Sequence, residues 1–353
     1  MSSFTIQGHA FTDSGQSLRD WSDKALPHTA PWEQEYLRFF SEWGAGKEEW
    51  VFQSSGTTGA PSSVRFTRSQ IEASAHLTAR VFDLPHGAKA LLCLPGQYIA
   101  GKMMLARTVV NEWDLLWEEP SSLPFGGKLP QADILSVTPM QLTNLLRLSP
   151  HSLDPVRIVL VGGAPVSPAL REACIGLSTR IVETYGMMET LSHVALRELS
   201  GSRASDWFYP IPPVNMEPDS RGCLVIHAKH LGNVHIITND AAEWNRQGGF
   251  RIAGRVDFVI NSGGVKVFPE RVEERIGHLI SVPFFITWTP DERLGQKVVL
   301  CTEEDELSGA QEEDLLSRIA DCVSDHERPR EVFCFRQFER TVSGKIIRKP
   351  VNE

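Results

Sequence analysis

The chain carries, at residues 52–63, the stretch Phe52-Gln53-Ser54-Ser55-Gly56-Thr57-Thr58-Gly59-Ala60-Pro61-Ser62-Ser63, which follows an apolar, strand-like segment. Gly56 and Gly59 permit positive φ angles and bring backbone N–H groups close to an anion. Four hydroxyl side chains add donors on the same loop: Ser54, Ser55, Thr57 and Thr58. The loop is not that of the nucleoside triphosphatases, because no lysine follows Gly59. It predicts either another kind of phosphate-binding loop or, when the stretch is considered alone, a solvated turn.

Length and composition indicate a soluble globular protein with two or three domains. The 353 residues are 41% hydrophobic and 22% charged, and the net charge is −9 without a long basic run. Nucleic acids and anionic membrane surfaces are therefore poor candidate partners. The sequence predicts no signal peptide and no membrane span, and its six cysteines form no Cys-x-x-Cys pair. We expect a cytoplasmic protein without structural zinc or disulfide bonds.

Short apolar strands alternate with amphipathic helices from residue 50 to about residue 182. The predicted strands are Trp50–Gln53, Ala90–Leu94, Asp114–Trp117, Ile134–Val137, Arg157–Val161 and Arg180–Thr184. The predicted helices are Ser69–Phe82, Gly101–Val110, Pro139–Leu148 and Ser167–Ile175. This alternation predicts an α/β domain whose mostly parallel sheet is flanked by helices and binds ligands at the carboxyl ends of its strands. Before it, residues 1–47 predict one helix, from Pro31 to Trp43, with tryptophans as packing anchors.

The rest of the chain predicts two smaller units. Three short strands indicate a small antiparallel β subdomain: Cys223–His227, Val234–Thr238 and Phe250–Ile252. A small α+β domain follows, and a strand at Val256–Ile260 is predicted to open it. We therefore expect a large N-terminal domain at residues 1–253 and a C-terminal domain at residues 254–353.

Two turns at the predicted carboxyl edge contain residues suited to a nucleotide. Val161-Gly162-Gly163-Ala164-Pro165 ends a strand with bare backbone on which a flat ring can lie. Tyr185-Gly186-Met187-Met188-Glu189-Thr190 follows the next strand. Its aromatic ring suits stacking on a base, and its carboxylate suits a divalent cation. Each stretch alone is equally compatible with an ordinary tight turn.

Three charged residues further along the chain extend this set. Asp240 ends a later strand with a carboxylate that can accept hydrogen bonds from both hydroxyls of a ribose, and Arg255 can donate to the same sugar. A surface ion pair is the alternative. Lys345 lies on a Ser-Gly turn near the C-terminus, which suits insertion into an anionic site, although a basic tail is the simpler alternative.

Taken together and in this order, the motifs resemble those of the acyl-adenylate-forming superfamily of acyl-CoA synthetases, adenylation domains and luciferases. Residues 54–61 resemble its phosphate loop, Gly162-Gly163-Ala164-Pro165 its adenine-side loop, and Tyr185-Gly186-x-Met188-Glu189 its Tyr-Gly-x-Thr-Glu motif. Asp240 resembles its ribose-binding aspartate. Gly254-Arg255-Val256-Asp257 resembles the hinge before its mobile C-terminal domain, and Ser343-Gly344-Lys345 its closing motif. The resemblance covers residues 50 to 349.

The resemblance implies two half-reactions. A carboxylate attacks ATP·Mg²⁺ to give an acyl-adenylate and pyrophosphate, and the thiol of coenzyme A then takes the acyl group. The loop at residues 54–59 would hold the β- and γ-phosphates, Glu189 the Mg²⁺ ion, and Asp240 with Arg255 the ribose. Lys345 would bridge the acyl carboxylate and the α-phosphate. Rotation about Asp257 would then withdraw that lysine and open a coenzyme A tunnel lined by Gly263 and Gly264.

Within the superfamily, residues 98–104, 186–196 and 257–267 resemble the o-succinylbenzoate–CoA ligases of menaquinone biosynthesis. The short region before the phosphate loop resembles the compact ligases of some menaquinone-making bacteria. o-Succinylbenzoate has a second carboxylate that does not react and that needs a cation or several donors in a dry pocket. The candidates beside Tyr98 in the acyl pocket are Lys102, Arg107 and His193, each of which is alternatively a surface charge.

Four positions depart from the superfamily pattern. Ser62 and Asn261 stand where lysine is usual, Met188 replaces a threonine, and Tyr98 stands where histidine or another aromatic residue is common. The loss of one charge-assisted contact costs ~1.5–3 kcal/mol. We therefore expect the enzyme activity to be lowered but not abolished. The alternative functions are ligation of another aromatic or aliphatic acid and non-catalytic binding of an acyl nucleotide. The expected small-molecule partners are ATP, Mg²⁺, coenzyme A and a carboxylic acid. Formation of a homodimer is left open.

Overall fold

A nine-stranded sheet forms the centre of the molecule, counted over residues 3–53, 63–340 and 346–351, which the computed structural model describes. In spatial order its strands are β11 (Tyr209–Pro210), β10 (Ser192–Glu198), β9 (Arg180–Met187), β8 (Val156–Val161), β7 (Ala132–Val137), β5 (Lys89–Leu92), β6 (Asp114–Trp117), β1 (Phe4–Ile6) and β2 (His9–Phe11). In this spatial order, the six strands from β9 to β1 pair parallel with one another. At the edges, β2 pairs antiparallel with β1, β10 with β9, and β11 with β10. The predicted α/β fold with a mostly parallel sheet is confirmed.

Six helices of the described chain accompany this sheet, and all but the first correspond to predicted helices. They are α1 (Gln16–Ala25), which was not predicted, α2 (Pro31–Gly44), α3 (Arg68–Val81), α4 (Ile99–Asn111), α5 (Pro139–Leu148) and α6 (Pro168–Ile175). Capping boxes start α3 and α5. The Thr67 and Thr138 hydroxyls each accept the backbone N–H of the glutamine three residues later, and the backbone N–H of each threonine donates to that glutamine side chain. In the described part of the chain, none of the helices has the length and apolarity that a bilayer span requires.

The N-terminal segment forms the β1 edge of the large sheet. Ile6 pairs with Leu115 of β6, and the backbone N–H and hydroxyl of Thr5 both donate to the Asp114 carboxylate, at 2.7 and 2.8 Å. Aromatic rings from α2, among them the fully buried Tyr36, pack beneath this edge. The predicted helix at residues 31–43 is confirmed. The strands β1 and β2 were not predicted, because three residues are too few to establish a period.

The segment before the Ser/Thr/Gly loop does not belong to the large sheet. β3 (Glu49–Gln53) pairs antiparallel with β4 (Ser63–Thr67) in a separate two-stranded sheet. Its last register pair is Gln53 with Ser63. The prediction of a parallel strand at residues 50–53 is therefore wrong in its partner, because an apolar run of four residues carries no information about pairing.

Two further sheets make up the second half of the chain. The antiparallel subdomain contains β12 (Asn215–Pro218), β13 (Cys223–Ala228), β14 (Val234–Trp244) and β15 (Phe250–Arg255). The C-terminal unit contains β16 (Ile260–Ser262), β17 (Val265–Val267), β18 (Phe284–Asp291), β19 (Gly295–Glu303), β20 (Val332–Phe335), α7 (Pro269–Ile276) and α8 (Gly309–Ala320).

The connection between these two sheets is a 3₁₀ turn at Val256–Phe258, so the prediction of a strand over residues 256–260 is wrong. The Asp257 carboxylate holds the turn by accepting from Asn239 Nδ2 at 2.7 Å and Arg255 Nη2 at 2.5 Å. The predicted domain boundary between residues 253 and 254 stays a prediction. In the structure, β15 continues across this point through Gly254 and Arg255.

Candidate active site

The carboxyl ends of β8 and β9 lie side by side and carry two of the predicted motifs. Val161 pairs with Glu183, which brings the glycine turn after β8 next to Thr184 and Tyr185. A Cβ added to Gly162 would overlap the Thr184 hydroxyl, and Gly163 has a φ of +85°. Glycine is therefore favoured at both positions, the first by close approach and the second by backbone conformation.

The Tyr-Gly-Met-Met-Glu-Thr stretch forms the turn of the β9–β10 hairpin. Met187 pairs with Ser192, and a Cβ on Gly186 would overlap the Ser192 carbonyl oxygen. The buried Thr190 hydroxyl accepts the Met187 N–H at 2.9 Å and lies 2.7 Å from the Ser192 carbonyl oxygen. These bonds fix the turn between the two strands.

Tyr185, Asp240 and Arg255 come together at one side of this hairpin. The Tyr185 hydroxyl donates to Asp240 Oδ2 at 2.7 Å, and Arg255 Nη1 donates to Asp240 Oδ1 at 3.1 Å. The Tyr185 ring packs edge-on against Phe250. Burial and the neighbouring Asp240 raise the pKa of Tyr185, so the phenol stays protonated. Three residues predicted separately from the sequence thus share one polar cluster.

Glu189, the residue that the sequence predicts as a Mg²⁺ ligand, has a carboxylate that is not engaged by the neighbouring side chains that the structure describes. Among the described residues its half-buried carboxylate has neither a hydrogen-bond nor an ion-pair partner. Mg²⁺ is usually held by one or two carboxylates together with substrate phosphates. Within the described ranges, no group of three or more His, Cys, Asp or Glu side chains is arranged to hold a metal ion. The neighbouring Met188 is 8% exposed and belongs to the core.

A buried polar cluster lies beneath the hairpin. Arg107 of α4 donates from Nε to Thr78 Oγ1 at 3.1 Å and from Nη2 to Ser192 Oγ at 2.6 Å. His193 Nε2 lies 3.2 Å from the same Thr78 hydroxyl. No carboxylate pairs with Arg107 among the residues that the structure describes, although its side chain is 2% exposed.

Burial determines the charges in this cluster. It lowers the pKa of Arg107 to about 10, so the guanidinium stays charged at neutral pH. Burial, followed by the charge of Arg107 and the proximity of His230, lowers the pKa of His193 well below its usual value. Burial also lowers the pKa of His230 to about 4, and both of its ring nitrogens lack a hydrogen-bond partner in the described structure. The cluster therefore combines one unneutralised cation with neutral imidazoles.

Lys102 does not join this cluster, although the sequence groups it with Arg107 and His193. Its Nζ lies 5.2 Å from the ring centroid of Phe52 on β3. Tyr98 is the N-cap residue of α4, and a Cβ on Gly101 would overlap the Pro95 carbonyl oxygen, so the helix starts tightly against the end of β5. The structure thus places the two cations of α4 in different surroundings.

Sequence reasoning missed the hydroxyl partners and a buried ion pair that supports the site. Glu183 accepts from Arg197 Nε at 2.9 Å and Nη2 at 2.5 Å, and its other oxygen accepts the Val166 N–H at 3.3 Å, just after the glycine turn. Thr78 and Ser192 connect Arg107 to His193. A charged residue inside an apolar strand is a signal that would have identified Glu183. Nothing in the sequence distinguishes Thr78 from other helical threonines.

In the C-terminal unit, Gly263 and Gly264 form the turn between β16 and β17, with φ angles of +59° and +84°. A cleft of about 260 Å³ beside Gly263 is lined by Leu294, His326, Arg328 and neighbouring residues. Arg328 Nε is buried there without a hydrogen-bond partner in the described structure.

Several predicted site residues lie outside the described residues. They are Ser54, Ser55, Gly56, Thr57, Thr58, Gly59 and Ser62 of the first loop, and Lys345 of the closing motif. Their assignments stay predictions.

Comparison with known proteins defines the class. The AMP-binding enzyme family matches residues 50–219. A crystal structure of an acyl-CoA synthetase (AMP-forming)/AMP-acid ligase II-like protein from Dyadobacter fermentans is 37% identical, covering 94% of this chain and 96% of that one with a TM-score of 0.63. The chain belongs to the AMP-binding enzyme family of AMP-forming ligases.

More distant relatives have specific names. A 2-succinylbenzoate–CoA ligase from Bacillus cereus is 24% identical over 337 residues, which are 86% of this chain and 69% of the relative. The o-succinylbenzoate CoA synthetase of Bacillus subtilis, solved in complex with its acyl-adenylate intermediate, is 20% identical and has a TM-score of 0.74. The alignment covers 84% of this chain and 67% of that structure. The likeness to the Bacillus subtilis structure shows a shared fold.

Proposed function

We propose that this protein is an acid–thiol ligase that activates o-succinylbenzoate as its acyl-adenylate and transfers it to coenzyme A, in menaquinone biosynthesis. The observation that carries the proposal is the β9–β10 hairpin. On one side of it the Tyr185 hydroxyl contacts Asp240. Among the residues that the structure describes, the half-buried Glu189 in its turn has no hydrogen-bond or ion-pair partner, and the buried Arg107 beneath it has no carboxylate partner. The names of the 24%-identical relatives support the choice of acid.

For adenylation, Asp240 and Arg255 would bind the ribose, and the glycine turn after β8 would receive the adenine. Ribose hydroxyls donating to Asp240 would compete with the Tyr185 hydroxyl, so the phenol would turn towards the ligand or solvent. Mg²⁺ bound by Glu189 would neutralise phosphate charge while pyrophosphate leaves. Lys345 is assigned by motif to the acyl carboxylate and the α-phosphate.

For substrate selection, Arg107 would bind the carboxylate that does not react, and His193 would supply a neutral neighbour to the same pocket. A buried guanidinium without an acidic partner is costly, and an anionic substrate would remove that cost. The side chain is held by Thr78 and Ser192, so its position is fixed before binding. This geometry favours a dicarboxylic acid over a simple fatty acid.

For thioester formation, coenzyme A would pass Gly263 and Gly264. The cleft next to Gly263 offers Arg328 and His326 to the phosphates of this co-substrate. Gly264→Leu should spare pyrophosphate release and abolish thioester formation, because the side chain would obstruct the tunnel. Gly264→Ala carries the same backbone strain at a φ of +84° and is the control. Equal loss in both half-reactions would contradict the assignment.

The decisive assay is pyrophosphate release from ATP·Mg²⁺ with o-succinylbenzoate, with and without coenzyme A, beside Lys345→Ala. Release that depends on this acid and on Lys345 supports the proposal. Turnover with other acids alone would favour a different acyl-CoA synthetase. ATP binding without turnover of any acid would favour a non-catalytic nucleotide-binding protein, which the replacement of threonine by Met188 motivates.

The pocket is tested separately with Arg107→Gln. We expect the KM for o-succinylbenzoate to rise about 10- to 100-fold, the value of one charged hydrogen-bonding contact. An analogue lacking the carboxylate that does not react should show no such rise, because the lost contact is absent from it. Arg157→Gln, a surface cation paired with Asp133, is the matched control. An unchanged KM for the dicarboxylate would remove Arg107 from the acyl pocket.

A further inference from the structure

The antiparallel subdomain carries a polar cleft that has no part in the proposed reaction. Its volume is about 400 Å³, and its walls come from β12, β13, β14 and the turn between the last two strands. Glu217 and Lys229 supply one carboxylate and one ammonium, so charge alone does not define a ligand. The side chains that line the cleft are Asn215, Glu217, His227, Lys229, Asn233 and His235.

Strand register brings the two histidines of this cleft together. His227 of β13 is directly opposite His235 of β14, and their ring centroids lie 4.5 Å apart at an interplanar angle of 64°. Residues directly opposite each other in an antiparallel pair have their Cβ atoms about 4.5–5.5 Å apart on one face of the sheet. The backbone pairing of β13 with β14 therefore holds the two imidazoles side by side.

Glu217 determines which nitrogen of His227 can bind a ligand. Its Oε1 lies 3.0 Å from His227 Nε2. Because a carboxylate only accepts, Nε2 carries the proton of this hydrogen bond, and Nδ1 of the neutral ring keeps its lone pair. A carboxylate that accepts the second N–H is a usual partner of a metal-binding histidine. Within the described ranges His235 has no hydrogen-bond or ion-pair partner, so its ring is free to offer a nitrogen.

The chemistry of the two rings selects the kind of ion. Neutral imidazole suits Zn²⁺ and Cu²⁺, whereas Mg²⁺ prefers oxygen ligands. Ring centroids 4.5 Å apart are close enough for one Zn²⁺ ion to bridge two nitrogens at about 2.0–2.1 Å each, after rotation about χ2 of the rings. No three His, Cys, Asp or Glu side chains of the described chain are grouped around a metal position, so such an ion keeps open positions for water or a small ligand.

We propose that His227 and His235 chelate a Zn²⁺ ion, with Glu217 orienting the His227 ring from the outer side. The ion joins β13 to β14 across the cleft. Its ligands are different residues from those proposed for ATP and Mg²⁺, so this inference does not rest on the proposed function.

The test is isothermal titration calorimetry of Zn²⁺ into protein that has been freed of metal with EDTA, in the absence of nucleotide. We expect His227→Gln and His235→Gln each to weaken Zn²⁺ binding about 10- to 100-fold, because either change leaves a single ligand. Glu217→Ala should weaken it about tenfold, since both ligands remain but His227 loses its orienting partner. His151→Gln is the matched control, because exposed His151 pairs with Asp154 at 3.0 Å without a neighbouring imidazole in the described structure, and it should leave the affinity unchanged.

Cu²⁺ serves as a spectroscopic probe that counts the ligands directly. Electron spin echo envelope modulation should show two coordinated imidazoles in the wild type and one in His235→Gln. Zn²⁺ affinity that is equal in the wild type and both histidine variants would overturn the proposal. A loss in only one of the two variants, or a single imidazole on Cu²⁺ in the wild type, would also overturn it, because chelation requires both rings.

Discussion

Gly186 illustrates how a single residue determines the geometry of the site. Its α-hydrogen faces the Ser192 carbonyl oxygen across the β9–β10 hairpin, and a methyl group there would overlap that oxygen. Gly186→Ala should lower the free energy of unfolding by about 1–3 kcal/mol, the usual cost of overpacking. Urea denaturation measures the change.

Gly176→Ala provides the control for this substitution. Gly176 follows α6 with a φ of −86°, and a Cβ there meets no atom within 4 Å. Alanine is expected to be neutral or slightly stabilising at that position. Equal effects of the two substitutions would show that the hairpin tolerates the methyl group.

His193 predicts a pH dependence of stability. In the unfolded chain histidine titrates near 6.5, whereas burial keeps folded His193 neutral well below that pH. Below pH ~6.5 the unfolded state therefore binds a proton that the folded state does not, and the free energy of unfolding falls as pH decreases. The slope from this group approaches about 1.4 kcal/mol per pH unit.

The matched variant is His193→Gln, which keeps a polar side chain but cannot titrate. Its stability, measured by denaturant unfolding at pH 7, 6 and 5, should fall less steeply than that of the wild type. His230 and the buried carboxylates are present in both proteins, so their contributions cancel in the difference. Parallel pH profiles would mean that His193 titrates normally in the folded state.

At this scale the sequence predicted the candidate nucleotide-binding residues but not their partners. Glycine turns and the Tyr-Gly-Met-Met-Glu stretch have local signatures, and the structure brings Tyr185, Asp240 and Arg255 together. Thr78 and Ser192 have no such signature, because their role arises only from contact with Arg107.

The β9–β10 hairpin depends on a charge pair between its two strands. Glu183 and Arg197 are both buried, and Glu183 also receives the Val166 N–H behind the glycine turn. Glu183→Gln should cost about 3–5 kcal/mol of unfolding free energy, because Arg197 would remain as an uncompensated buried charge. Thermal or urea unfolding provides the measurement.

A double variant and a second ion pair test the cause. Glu183→Gln with Arg197→Met removes both charges and should recover much of the loss. Glu198→Gln breaks the more exposed Glu198–Arg180 pair between the same strands and should cost about 1 kcal/mol or less. If the double variant is no more stable than Glu183→Gln, the destabilisation has a source other than the uncompensated charge of Arg197.

Elements with strong local signals were predicted well. The helix predicted at residues 139–148 has those bounds in the structure, because proline and a capping threonine mark its start. The segment at residues 256–260 was predicted wrongly, because side-chain bonds to Asp257 hold it as a turn. β3 was predicted as a strand but assigned to the mostly parallel sheet, because local pattern cannot specify the pairing of a strand.

At the scale of the molecule, and within the residues that the structure describes, two ion pairs connect α7 of the C-terminal unit to the N-terminal part. Glu274 pairs with Arg171 of α6, and Arg271 pairs with Glu243 of β14 at 2.8 Å. A rotation about Asp257, of the kind that the family resemblance implies for the second half-reaction, would break both pairs. They therefore favour the observed orientation, each by ~0.2–1 kcal/mol.

The double variant Arg171→Gln, Arg271→Gln should change the rates of the two half-reactions in opposite directions. The expected shift in their ratio is roughly two- to tenfold. Pyrophosphate release and thioester formation, measured in single turnover, give the two rates. Arg275→Gln lies on the same helix but breaks a pair with Glu327 inside the C-terminal unit, and it should leave the ratio unchanged. A parallel change in both rates would exclude a role in orientation.

The sequence alone determined the fold class, the order of the nucleotide motifs and the candidate charges, because hydrophobic period, glycine turns and capping residues act over a few neighbours. The tertiary structure alone decided which charges remain unpaired and what they face. It placed Arg107 with His193 beneath the hairpin and turned Lys102 towards Phe52. Residues that meet across a fold are brought together by packing between distant segments, and no local pattern encodes that meeting.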